Sequence, residues 1–70
     1  MSAQFYNFHL SYGRGMVTVK VDSRTLARAK AGVEDSQLII LSQIEATYSK
    51  RYNRTIKLSW QDVRRISTHE

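Results

Sequence analysis

Two neighbouring segments of this chain alternate strictly between apolar and polar residues, and this pattern constrains the fold more than any other feature. They are residues 4–12, QFYNFHLSY, and residues 16–21, MVTVKV. A period of two with aromatic and β-branched residues predicts strands, and Gly13 and Gly15 between the segments favour a tight turn. We therefore expect a β-hairpin. The side chains expected to share its buried face are Tyr6, Phe8, Leu10, Tyr12, Val17, Val19 and Val21.

The register of this hairpin follows from the requirement that apolar residues face each other across the strands. Directly opposed residues lie on the same face of a sheet, so the two apolar sets must be partners. The sequence predicts the pairs Tyr12 with Val17, Leu10 with Val19 and Phe8 with Val21. The connection is then either a two-residue turn at Arg14 and Gly15 or a four-residue loop of the same register.

The rest of the chain reads mainly as helix. Residues 22–31 begin with capping residues, continue with good helix formers and end at Gly32, and residues 37–52 carry an apolar stripe with helical spacing. Residues 55–60 alternate and predict a third strand, and a capping box over residues 59–62 predicts a short C-terminal helix. The stripe comprises Leu38, Ile40, Leu41, Ile44, Tyr48 and Tyr52.

These elements together predict one small α+β domain over residues 1–70, with the order β-β-α-α-β-α. All three strands have a single apolar face, so the helices are expected to cover one side of an antiparallel sheet. The strand order 2-1-3 makes every pair of neighbours antiparallel. The other side of the sheet is expected to be open and polar, and its predicted side chains are Asn7, His9, Ser11, Thr18, Lys20, Thr55 and Lys57.

The charge of the chain is distributed unevenly. The 70 residues carry 11 bases and 6 acids, for a net charge of +5, and residues 50–70 hold six of those bases with only two acids. The stretch KRYNRTIK over residues 50–57 is the densest part of this basic region. Such an asymmetry indicates a polyanionic partner, although the cations at the end of a helix also interact favourably with its dipole.

No feature of the sequence predicts catalysis, a metal site or a cofactor. The chain has no cysteine, and its two histidines, His9 and His69, lie far apart in sequence. No spacing places a carboxylate or a nucleophile beside either of them. We therefore expect a protein that is not an enzyme and has no small-molecule substrate. The N-terminal residues resemble no export signal and no apolar run is long enough to span a membrane, so we expect a cytoplasmic protein without a membrane partner.

The first functional hypothesis is a small basic module that binds nucleic acid through phosphate contacts. DNA is favoured over RNA, because the open face offers only Phe5 and His9 as rings for stacking. Arg and Lys contact phosphates, and the polar residues beside them can bind phosphate or base edges. The residues expected to make these contacts are Lys20, Lys50, Arg54, Lys57, Arg64 and Arg65.

Within residues 16–48, an alternating strand, MVTVKV, is followed by a first helix, a glycine and the segment DSQLII that opens a second helix. In this order of elements the segment resembles ribbon-helix-helix DNA-binding proteins. The resemblance implies a dimer in which Thr18 and Lys20 read a DNA groove. However, the first helix is about one turn short for that family, and residues 4–12 already offer the strand a partner in the same chain.

The second hypothesis is a protein-interaction module without a nucleic-acid role. This would be a small inhibitor or adaptor that binds an acidic surface, or a homodimer that joins strand edges. The MVTVKV edge is short, and Lys20 is its one outward charged residue that would disfavour pairing with another strand. A further strand could therefore be added at this edge. In either case the size of the chain is typical of a phage or bacterial accessory protein with a regulatory role.

Overall fold

The computed structural model of this chain describes residues 3–11 and 15–69. Its elements in chain order are β1 (Ala3–Leu10), β2 (Gly15–Asp22), α1 (Ser23–Lys30), α2 (Glu34–Tyr52), a 3₁₀ turn (Trp60–Asp62) and β3 (Val63–Thr68). The strands form an antiparallel sheet in the order β2-β1-β3. The predicted α+β class, antiparallel sheet and strand order are therefore confirmed.

The hairpin of β1 and β2 has the predicted residues on its apolar face, but its register differs from the predicted one. Phe8 pairs with Val17 and Leu10 pairs with Gly15, whereas the expected partners were Val21 and Val19. Several registers keep the same residues on the apolar face. Alternation therefore predicts the face on which each side chain lies, but not which residues of the two strands pair. Tyr12 and the predicted turn residues Gly13 and Arg14 lie outside the described residues.

The third strand lies eight residues later than predicted, in β3, and the predicted C-terminal helix is absent from the described residues. Val63 and Ile66 have a helix-like spacing of three, but both pack against the core from the helix-facing side of β3. A β-bulge explains this spacing, because His9 pairs with Arg65 while Leu10 pairs with Val63. The intervening Arg64 is an extra residue, which lets two residues three apart share one face.

Residues 55–60 run along α2 instead of joining the sheet. The backbone N–H of Ile56 donates to Ser49 Oγ at 3.1 Å, and that of Leu58 donates to Glu45 Oε2 at 2.6 Å. Side chains of α2 thus take the place of a neighbouring strand as hydrogen-bond partners. The alternation still describes packing, since Ile56 is buried, and Leu58 and Trp60 pack against the core.

Helix α1 begins and ends as the sequence indicates, whereas α2 begins at Glu34, three residues before the predicted stripe. Gly32, at φ +97°, follows α1, and the N–H of Val33 donates to the carbonyl of Arg28. Asp22 caps the start of α1 by accepting from the N–H of Arg24 at 3.5 Å. The predicted capping box is present, with the N–H of Ser59 donating to Asp62 at 2.9 Å, but it opens only the 3₁₀ turn.

The core lies between the helices and one face of the sheet. Phe8, Val17, Ile40 and Ile44 are each 0% exposed. Two residues of the predicted stripe lie outside this core, because Leu38 and Tyr52 are 56% and 51% exposed. The other buried members of the core are Leu10, Val19, Val21, Leu26, Ala29, Tyr48 and Ile56.

Candidate nucleic-acid interface

The face of the sheet that the helices leave uncovered carries side chains from all three strands. Because the partners of a residue lie on its own face, the pairing places Asn7 beside Thr18 on one side and Ser67 on the other. We call this surface the open face. Its members are Phe5, Asn7, His9, Met16, Thr18, Lys20, Arg65 and Ser67, with His69 following directly after β3.

An exposed aromatic ring stands at one end of the open face between a cation and an imidazole. Phe5 is 50% exposed, and its ring makes an edge contact with that of His69, with centroids 6.4 Å apart and planes at 69°. Lys20 places its Nζ 6.0 Å from the centroid of the Phe5 ring. A cation at this distance is attracted by the ring quadrupole. The cluster therefore combines a stacking surface with a positive charge.

Hydrogen bonds across the strands fix the middle of the open face. Thr18 Oγ1 donates to Asn7 Oδ1 at 2.7 Å. His69 Nδ1 lies 3.2 Å from the same oxygen, and since an amide oxygen can only accept, this ring nitrogen is the donor. His9 Nε2 and Ser67 Oγ share a further hydrogen bond at 3.2 Å. The rings of His9 and His69 are thus oriented by neighbours on the open face.

Two of the six predicted contact residues lie on the open face. Lys20 is opposite Phe5 on β2, and Arg65 is opposite His9 on β3, so they occupy the two outer strands. Four residues along β1 and two strand spacings separate them, which corresponds to about 16 Å between their Cα atoms. Both side chains are exposed. They flank a polar and aromatic strip that runs diagonally over β1.

Three other predicted residues lie outside the strands, at the C-terminal end of α2 and in the segment that follows it. Lys50 is in the last turn of the helix, Arg54 follows the left-handed Asn53, and Lys57 belongs to the segment that runs along α2. The expectation that Thr55 and Lys57 lie on the open face is wrong, because residues 55–59 form no strand. This end of the helix meets the sheet where Arg51 Nη1 donates to the carbonyl of Met16 at 3.2 Å.

Ser11, which was also predicted to lie on the open face, follows directly after β1 and contacts the 3₁₀ turn. It lies after the end of β1, where its N–H donates to the carbonyl of Asp62 at 2.9 Å and its Oγ donates to Asp62 Oδ1 at 3.4 Å. These bonds attach the end of β1 to the 3₁₀ turn. Ser11 therefore has a structural role in this position.

The sixth predicted residue, Arg64, lies at a separate cleft beside β3. This cleft has a volume of about 350 Å³, and its described lining also includes Lys30 from the end of α1 and Trp60 from the 3₁₀ turn. The predicted basic residues thus lie on the open face, at the end of α2 and at the cleft, and Arg65 belongs to both the open face and the cleft. The remaining lining residues are Val63, Arg65 and Ile66.

The sequence did not predict that His69 and Ser67 belong to the open face. Both were expected after or within a C-terminal helix, and their position depends on the strand β3. The contact of Arg51 with the edge of β2 was also missed, because it joins residues 35 positions apart in sequence. No local pattern signals either arrangement.

Among residues 3–11 and 15–69, no group of three His, Cys, Asp or Glu side chains lies close enough together to hold a metal ion. Nor does this part of the chain contain a helix with the length and apolar character needed to cross a membrane. In the comparisons with known proteins, no family model, curated protein or solved structure matches this chain. The MVTVKV strand of the ribbon-helix-helix resemblance pairs with β1 of the same chain.

Proposed function

We propose that the protein binds single-stranded nucleic acid, with DNA as the favoured ligand, across its open face. The observation that carries this proposal is the cluster of Phe5, Lys20 and His69, in which a half-exposed ring, a cation and an oriented imidazole converge from separate parts of the chain. Sheets that bind single strands present two or three rings for base stacking beside basic side chains for the backbone.

The two outer strands supply the proposed phosphate contacts. Lys20 and Arg65 flank the rings, and Asn7, Thr18 and Ser67 between them carry groups that can hydrogen-bond phosphates or base edges. The cations at the end of α2, among them Lys50, Arg54 and Lys57, would raise the rate of encounter through the positive field of the chain. We propose a binding module of the cytoplasm without catalytic activity.

Fluorescence anisotropy with a labelled single strand of about ten nucleotides tests this proposal, since such a length lies within the usual site sizes. DNA and RNA single strands and a DNA duplex serve as three probes, each measured at two salt concentrations. We expect the single strands to bind more tightly than the duplex, and DNA at least as tightly as RNA. No binding of any probe at about 50 mM salt would refute the proposal, because electrostatic contacts are strongest there.

Variants separate base stacking from general attraction to the positive charge. Phe5→Ala should weaken binding by about ten-fold, since one stacked base contributes ~1–3 kcal/mol. Leu38→Ala is the matched control, because Leu38 is equally exposed but lies on α2. Equal losses in both variants would contradict stacking on Phe5.

The salt dependence tests the phosphate contacts. Removing both Lys20 and Arg65 should reduce the log–log slope of affinity against salt by about 1.4, since each phosphate contact on a single strand contributes ~0.7. The double variant of Arg24 and Arg28, two exposed cations of α1, removes the same charge from another surface. Its slope should change less than that of the Lys20 and Arg65 variant.

A further inference from the structure

The two outer edges of the sheet differ in how they are covered. In an antiparallel sheet, alternate residues of an outer strand direct both backbone groups away from the neighbouring strand. Met16 is such a residue of β2, and its carbonyl accepts from Arg51. A side chain of α2 thus covers part of the β2 edge.

The edge of β3 directs alternate backbone groups away from β1, beside the cleft. The N–H of His69 donates to the carbonyl of Phe5, so His69, Ser67 and Arg65 direct their backbone groups toward β1. Ile66 and Thr68 alternate with these three residues, so their backbone N–H and C=O groups point away from β1. The same Ile66 lines the cleft, so a strand added at this edge would run along the cleft.

The cleft has an apolar floor and a cationic rim. Trp60, Val63 and Ile66 are partly buried, whereas Lys30, Arg64 and Arg65 are exposed. No acidic residue is among the described lining residues of this cleft. A second copy of the chain would bring the same three cations to the edge and meet like charge. An acidic strand would find opposite charge and free hydrogen-bond partners together.

We propose that the edge of β3 binds an extended acidic peptide segment of a protein partner, which joins the sheet as a fourth strand. Backbone hydrogen bonds to Ile66 and Thr68 hold the segment, as in other complexes formed by strand addition. Its acidic side chains meet Lys30 and Arg64 at the rim, and its small apolar side chains pack on the floor beside Trp60. This site borders the open face, because Arg65 belongs to both, whereas Lys30 and Arg64 lie outside the open face.

A capped peptide of about seven residues that alternates Glu and Val is the probe, since a strand of five to six residues is typical. In a titration of the ¹⁵N-labelled protein followed by NMR, we expect the largest amide shifts at Ile66 and Thr68. Their amide hydrogens should also exchange more slowly in the complex. Shifts confined to the open face or to α2, or no shifts at millimolar peptide, would overturn the proposal.

Two modified peptides test the chemistry of recognition. Replacing every Glu by Gln keeps the strand but removes its charge, and methylating alternate backbone nitrogens keeps the charge but removes one row of hydrogen-bond donors. We expect each change to weaken binding by about ten-fold, because each removes several hydrogen bonds or ion pairs at once. Unchanged binding of either peptide would contradict fourth-strand recognition by an acidic segment.

Charge reversal on the protein supplies the complementary test. The variant with Lys30→Glu and Arg64→Glu should bind the Glu-Val peptide about ten-fold more weakly, because two attractions become repulsions. The variant with Lys50→Glu and Arg54→Glu changes the net charge by the same amount at the end of α2, and it should lose less than about three-fold because of screening. Equal losses would indicate attraction to the whole molecule and overturn the assignment to this cleft.

Discussion

Asn53 has a backbone conformation that most residues avoid. It follows α2 with φ 53° and ψ 45°, and it is the one residue other than glycine with positive φ in the described part of the chain. The left-handed conformation lets the N–H of Arg54 reach the carbonyl of Ser49 at 3.1 Å, which closes the helix. Asparagine tolerates this region better than residues with larger or branched side chains.

The effect of a substitution at Asn53 on stability should therefore depend on how easily the new residue adopts the left-handed backbone conformation. We expect Asn53→Val to lower the free energy of unfolding by about 1–2 kcal/mol, since a β-branched residue is strained in this region. Asn53→Gly is the matched control and should be neutral or stabilising. Urea denaturation measures both, and equal stability of the two variants would contradict the assigned backbone geometry.

Core packing gives a second prediction at the level of single residues. Ile44 is 0% exposed, whereas Ile39 on the same helix is 52% exposed. Ile44→Val should lower the free energy of unfolding by about 1 kcal/mol, because it removes a buried methyl group. Ile39→Val should change it by less than about 0.5 kcal/mol. Similar losses in both variants by urea denaturation would mean that α2 faces the sheet differently.

At the level of elements, the segment between α2 and β3 depends on two side chains of the helix. Glu45 accepts from the N–H of Leu58, and Ser49 accepts from that of Ile56. These bonds satisfy backbone groups that would otherwise need a neighbouring strand. They allow a segment with strand-like alternation to pack on the core without belonging to the sheet.

Glu45→Ala should release this segment. We expect a loss of about 1–3 kcal/mol in the free energy of unfolding, because the partly buried N–H of Leu58 is left without its acceptor. The amide hydrogen of Leu58 should exchange faster than the loss of global stability alone would predict. Gln43→Ala, at an exposed position of the same helix, is the control. An unchanged exchange rate at Leu58 would show that Glu45 does not hold the segment.

The same elements show what sequence can and cannot predict here. Alternation correctly assigned β1 and β2, and the helical stripe correctly assigned α2, since each has a long single-period pattern. The prediction for β3 was wrong because the bulge at Arg64 gives Val63 and Ile66 the spacing of a helix. The prediction of a strand over residues 55–60 was also wrong, because backbone groups of this segment bond to α2. Alternation indicates which side chains are buried, but not the hydrogen-bond partners of the backbone.

At the level of the whole molecule, the fold separates surfaces that the sequence places together. Lys20 and Arg65 were predicted as contact residues and lie on the open face. His69 joins them only because β3 returns beside β1, a long-range pairing that no local pattern encodes. The other basic residues lie at the end of α2 and along the β3 cleft, so the positive charge of the chain is spread over more than one surface.

An NMR titration of the ¹⁵N-labelled protein with a short single strand of DNA locates the binding surface residue by residue. We expect the largest amide shifts on the open face, at Phe5, Asn7, Lys20 and Ser67, with broadening of the His69 ring signals. Shifts restricted to the end of α2 around Lys50 and Arg54 would contradict this expectation. They would show that nucleic acid binds the basic helix end and leaves the open face free.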